Sequence, residues 1–68
     1  MKSASGRVLT KALERNGRLL LRINGSHHIY GKDSSPIRLS VPVHGDRPLK
    51  TGLLRHLLGL AELSEDDL

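Results

Sequence analysis

Four histidines, His27, His28, His44 and His56, lie in a chain of 68 residues with no cysteine, tryptophan or phenylalanine. Imidazole takes up and returns a proton near neutral pH, which makes it the first side chain to consider for acid–base chemistry. His27 and His28 are neighbours in a segment of strand character, so they point to opposite faces and do not chelate one ion together. No HExxH pattern is present. No metal site and no cofactor is expected. The glycines are scattered without a phosphate-binding fingerprint, and Asp33 is the one acid near the histidine pair, so no catalytic triad can be assembled.

Metal-free cleavage of RNA remains open to these residue types. It needs a base for the 2′-hydroxyl, an acid for the leaving 5′-oxygen and a cation for the charge on phosphorus. His27 follows a tight turn, should face solvent, and has Arg22 as a neighbour across the hairpin. A guanidinium there can hold a phosphate. The plain alternative is an exposed strand histidine without a task. His28 shares its face with core residues and reads as a core histidine. His44, beside Arg47-Pro48-Leu49-Lys50, reads as a second proton-transfer group, a phosphate contact or an ordinary loop residue. Lys50 precedes a helix whose N-terminus suits an anion, or is simply solvated. His56 lies near the polar side of that helix and has no expected role.

The elements that must position these groups follow from periodicity. Residues 5–16 read as a helix with Val8, Leu9, Ala12 and Leu13 on one stripe, Ser5 or Ser3 as its cap and Gly17 just past its end. Residues 18–23 alternate as a strand, with Leu19, Leu21 and Ile23 on one face and Leu20 and Arg22 on the other. Asn24-Gly25 signals a hairpin. A loop at Asn24-Gly25 sets Arg22 opposite His27, and a loop at Gly25-Ser26 sets Arg22 opposite Ile29. Either way His27 shares the face of Arg22, and only a bulge or odd loop reverses this.

Residues 26–32 form the return strand, 32–36 a turn, and 37–43 a third strand that Pro42 marks as an edge or an ending. Thr51 can cap a second helix running to about residue 61, with Leu53, Leu54, Leu57, Leu58 and Ala61 inward. Ser64-Glu65-Asp66-Asp67 has capping-box spacing and can start a last turn. The order α-β-β-β-α is an α+β arrangement: a three-stranded antiparallel sheet with both helices on one face, in one domain over residues 1–68. The expected buried sheet face is Leu19, Leu21, Ile23, Tyr30, Ile37, Leu39 and Val41. The open face would carry Arg22, His27 and Arg38.

Composition is consistent with this reading. Hydrophobic residues are 37% of the chain, enough for one small core. The longest apolar run is Leu19-Leu20-Leu21, which fits neither a membrane span nor a signal segment, so a soluble cytoplasmic protein is expected. All eleven Lys and Arg fall in residues 1–55, against three acids; residues 56–68 hold four acids and no base. A body that basic suggests a polyanion, nucleic acid first, or else a solubilising surface. Tyr30 is the single aromatic, so bases have no platform of rings to stack on. RNA would be read through phosphates, 2′-hydroxyls and shape.

The chain resembles the HicA toxins, also called YcfA-like proteins, over residues 5–68. The resemblance is carried by Gly25-Ser26-His27, Val41-Pro42-Val43-His44, and Leu49-Lys50-Thr51-Gly52 leading into a leucine-rich helix. It implies a double-stranded-RNA-binding-like fold, cleavage of mRNA independent of translation, and inhibition by a HicB-type antitoxin. The histidine of the family's Gly-Ser/Gly-His motif corresponds to His27, and its basic position before the second helix to Lys50. Arg18 stands where the family often has Trp or Phe, removing an apolar anchor and adding a charge. Arg22, Arg38, His44 and Lys50 are the candidate RNA contacts. The alternatives are a double-stranded-RNA-binding module without catalysis and a pure interaction protein for an acidic partner.

Overall fold

The computed structural model describes residues 3–68. The first helix, α1, spans Gly6–Arg15. Ser5 Oγ accepts from the Val8 N–H at 3.2 Å, so the expected cap is in place. Past the helix, the N–H groups of Gly17 and Arg18 donate to the carbonyls of Glu14 and Leu13. This paired closure needs a left-handed residue, and Gly17 supplies it at φ 89°. Leu9, Ala12 and Leu13 are buried as expected, whereas Val8 lies at the exposed margin of the stripe.

Strands β1 (Leu19–Asn24), β2 (His27–Lys32) and β3 (Ser35–Pro42) form an antiparallel sheet in that spatial order. The first hairpin uses the Gly25-Ser26 loop, with Asn24 paired to His27 and Arg22 to Ile29. Gly25 takes the positive φ, at 62°. Asn24, not Arg22, is therefore the residue directly across from His27. The second turn is shorter than the expected 32–36: β3 begins at Ser35, and Lys32 pairs with Ser35.

The helix α2 spans Thr51–Ala61. Thr51 is its first helical residue rather than its cap; Lys50 occupies the cap position without a side-chain hydrogen bond. A short 3-10 turn, Glu65–Asp67, follows, and its capping box is present: Asp67 Oδ2 accepts from the Ser64 N–H at 2.8 Å.

Both helices bury their apolar stripes against one face of the sheet. Leu9 and Leu13 of α1 and Leu54, Leu57 and Leu58 of α2 cluster with Tyr30, Leu39 and Val41. The arrangement is the α+β, double-stranded-RNA-binding-like fold.

The expected buried sheet face is only partly realised. Tyr30, Leu39 and Val41 are buried, but Leu19, Leu21, Ile23 and Ile37 are exposed, Leu19 to 63%. Ile37 lies near the start of β3, by the register shift between Tyr30 and Lys32, and two causes are visible for the β1 residues. The buried layer is centred on β2 and β3, so the edge strand β1 contributes no buried side chain. A bulge at Leu21 also shifts the β1–β2 register, pairing Leu20 with Tyr30 and Leu19 with Gly31. A Cβ at Gly31 would meet the Leu21 and Arg38 side chains, which places Leu21 over Gly31 on the open face.

Arg18, the departure from the family pattern, is buried at 3% exposure, and its Nη1 has no hydrogen-bond partner. The site takes a side chain inward even though that side chain is charged, which carries a desolvation cost.

Candidate active site

His27 opens β2 on the exposed face of the sheet. Its Nδ1 lies 3.0 Å from Ser40 Oγ on β3, two residues before Pro42, the ladder partner of His27. The register explains the contact: His27, Ile29, Ser40 and Pro42 all point to the open face, with Ser40 diagonal to His27. When Nδ1–H donates to the Ser40 hydroxyl, the Nε2 lone pair is free for a substrate proton.

The turn before His27 is tied to the segment after β3. The Val43 N–H donates to the Ser26 carbonyl at 2.8 Å, and Ser26 Oγ lies 3.4 Å from His44 Nε2. His44 is thereby held beside the residue preceding His27. The chain then runs to α2 under a second clasp: Ser5 and Pro48 form an isolated bridge, and the Leu49 N–H donates to the Ala4 carbonyl at 2.8 Å. That clasp fixes where Lys50 starts α2. Pro42, His44 and Lys50 line one cavity, and Pro42 is also the ladder partner of His27, so the cavity adjoins the strand ends that carry His27 and Ser40.

Arg22 and Arg38 lie on the same face but farther along it. Arg22 pairs with Ile29, one step beyond the Asn24–His27 pair. Arg38 folds over Gly31, and its Nη1 donates to the carbonyls of Ser35 at 3.2 Å and Ile37 at 3.3 Å. Arg22, Arg38, Lys50 and His44 are all exposed. His28 faces the helices but is only half-buried, and His56 is exposed on α2.

Tyr30 takes no part in this face. It is buried, and its hydroxyl donates to Glu14 Oε2 at 2.7 Å. Burial first, then the hydrogen bond and charge of Glu14, push its pKa up to about 12 against an opposing hydrogen bond with Thr10. Among the described residues no three His, Asp or Glu side chains gather as a metal-binding group.

Ser40 and Ser26 are the site residues that sequence reasoning passed over. The alternation of Leu39 and Val41 about Ser40 puts that hydroxyl on the open face. Its match to His27 depends on the length of the second turn, which the sequence left open.

The model of the family described as HicA toxin of bacterial toxin–antitoxin matches residues 6–63. The chain belongs to the HicA toxin family. The match covers both helices and all three strands. Membership of a toxin–antitoxin family implies an antitoxin partner. No curated protein matches the chain at a significant level.

Proposed function

We propose that this HicA toxin is a metal-independent endoribonuclease that cleaves mRNA in the cytoplasm with His27 as its acid–base group. The observation that carries the reading is an exposed histidine, its Nδ1 held by Ser40 and the residue before it, Ser26, in contact with His44. His27 Nε2 takes the proton of the 2′-hydroxyl. The 2′-oxygen forms a bond to phosphorus, and the bond from phosphorus to the 5′-oxygen breaks. The leaving 5′-oxygen receives a proton from His44, the second imidazole, which contacts the Ser26 hydroxyl next to His27. The products are a 2′,3′-cyclic phosphate and a 5′-hydroxyl.

Lys50, at the positive end of α2, and Arg22 hold phosphates and offset the charge that builds on phosphorus. Arg38 extends the basic track along the open face. A HicB-type antitoxin silences the enzyme by covering His27 and this surface.

The test is RNA cleavage in excess EDTA by the wild-type and His27→Ala proteins, each shown to be folded. A positioned acid–base group contributes about 10²–10⁴-fold, so His27→Ala should lose at least about a hundredfold in rate. Equal cleavage by the two would overturn the assignment. RNA binding without scission by either protein would favour the binding-module reading.

A further inference from the structure

The cavity beside the strand ends that carry His27 and Ser40 has a volume of about 250 Å³. Its walls include Pro42, Pro48 and the side chain of Leu53, and its rim carries His44, Arg47 and Lys50. Leu53 is set at the start of the α2 apolar stripe yet is 37% exposed, because it turns to this cavity rather than the core. Pro42 belongs to both places: it pairs with His27 in the ladder and lines the cavity.

We infer that this cavity is a base-binding subsite: it takes the nucleobase next to the scissile phosphate, while the rim cations hold that nucleotide's phosphate. The inference rests on the reading of the chain as an RNA-cleaving protein and specifies how the strand is gripped. The first argument is size and lining. Sites for drug-sized ligands run from about 300 to 1,000 Å³, and this one is smaller, apolar within and cationic at the edge. A flat heterocycle joined to a phosphate has the matching distribution of apolar face and negative charge.

The second argument is the scarcity of rings. Tyr30, the only Phe, Tyr or Trp of the chain, is buried, so the open face lacks the row of rings on which ring-bearing sheets stack bases, and the His27 imidazole is engaged at the reacting ribose in the proposed reaction. A base beside His27 finds its apolar contact in this cavity. The third argument is donor chemistry. The guanidinium of Arg47 and the ammonium of Lys50 only donate, so the rim favours phosphate oxygens and base edges rich in acceptors.

The experiment uses the full chain and a short 2′-O-methyl RNA, which cannot be cleaved, in a series with one base at a time replaced by an abasic site. Affinity is read by fluorescence anisotropy. Losing the base at one position should weaken wild-type binding about tenfold, the usual order for one held base. That dip should vanish in Leu53→Gln, and in the milder Leu53→Ala should the first variant melt early. Lys50→Gln should instead weaken every member of the series alike and leave the dip.

A flat series with RNA still bound would overturn the base subsite and leave the cleavage reading standing. A dip unchanged in both Leu53 variants would place the base elsewhere and overturn it too. Failure of wild type to bind any member would overturn the subsite together with the RNA reading beneath it.

Discussion

In the proposed reaction Ser40 acts through His27. Its hydroxyl, 3.0 Å from Nδ1, holds the ring so that Nε2 faces away from β3 toward substrate. Ser40→Ala should slow RNA cleavage by about ten- to a hundredfold, the usual order for a misplaced group. The loss should fall on kcat and leave KM in place. Ser40→Thr, which keeps the hydroxyl, should restore the rate. A rise in KM with kcat unchanged would reduce Ser40 to a packing role. Tyr30 makes the opposite case, a polar group committed to the core. An unfolded tyrosine ionises near pH 10 and the folded one near 12, so the native state holds the proton more tightly. Its contribution is complete below pH 10 and is lost as pH rises through 12. Denaturant melts should therefore weaken over that window in wild type and lose part of that slope in Tyr30→Phe. At neutral pH the same change should cost about 1 kcal/mol for the lost hydrogen bond.

At the scale of elements, the tightest fit is between the start of α1 and the end of β3. A Cβ at Gly6 would fall on the Pro42 carbonyl oxygen, which is backbone and has little room to yield. Gly6→Ala should cost about 1–3 kcal/mol, and a thermal melt should show a drop of at least about 4 °C. Neither this contact nor the course of β1 was legible beforehand, and the reasons are physical. The first helix was, because Leu9, Ala12 and Leu13 recur at helical spacing between a serine cap and a glycine stop. The loop at Gly25-Ser26 was one of two registers that the sequence allowed. Leu19-Leu20-Leu21, by contrast, has no polar residue to mark a face. Strict alternation assigned Leu19 and Leu21 inward, and a bulge inside the run overruled it. His27 was legible because its face depends only on parity across the hairpin. Its bond to Ser40 was not, because that depends on the second turn and on the register shift between Tyr30 and Lys32 that pairs His27 with Pro42. Thr51 looked like a cap by residue type alone, yet the clasp at Pro48 and Leu49 sets the start of α2, and Lys50 falls at the cap position.

Across the whole molecule the dominant quantity is charge. The chain carries a net +4, and its basic residues crowd into residues 1–55. Among the described residues no helix is long and apolar enough to cross a membrane. If Arg22, Arg38, Arg47 and Lys50 each neutralise one phosphate, binding of single-stranded RNA should fall with salt. The slope of log affinity against log salt would be about −2 to −3. Anisotropy titrations across a range of potassium chloride concentrations would check it; a slope near zero would mean that this surface does not track a phosphate backbone. Exposed ion pairs such as Arg7–Asp46, at 3.5 Å, matter little to such totals, since they are worth at most about 1 kcal/mol.

The clasp between the N-terminal segment and the loop before α2 also bears on the order of assembly. The three strands are sequential neighbours joined by tight turns, and hairpins of that kind close within microseconds. The bond from Leu49 to Ala4 joins segments far apart in the chain, and closing so long a loop costs entropy that local pairing does not. Hydrogen exchange should then protect the β2 and β3 amides longer than the Leu49 amide, and equal protection would mean that the sheet carrying His27 and the loop carrying His44 and Lys50 open together.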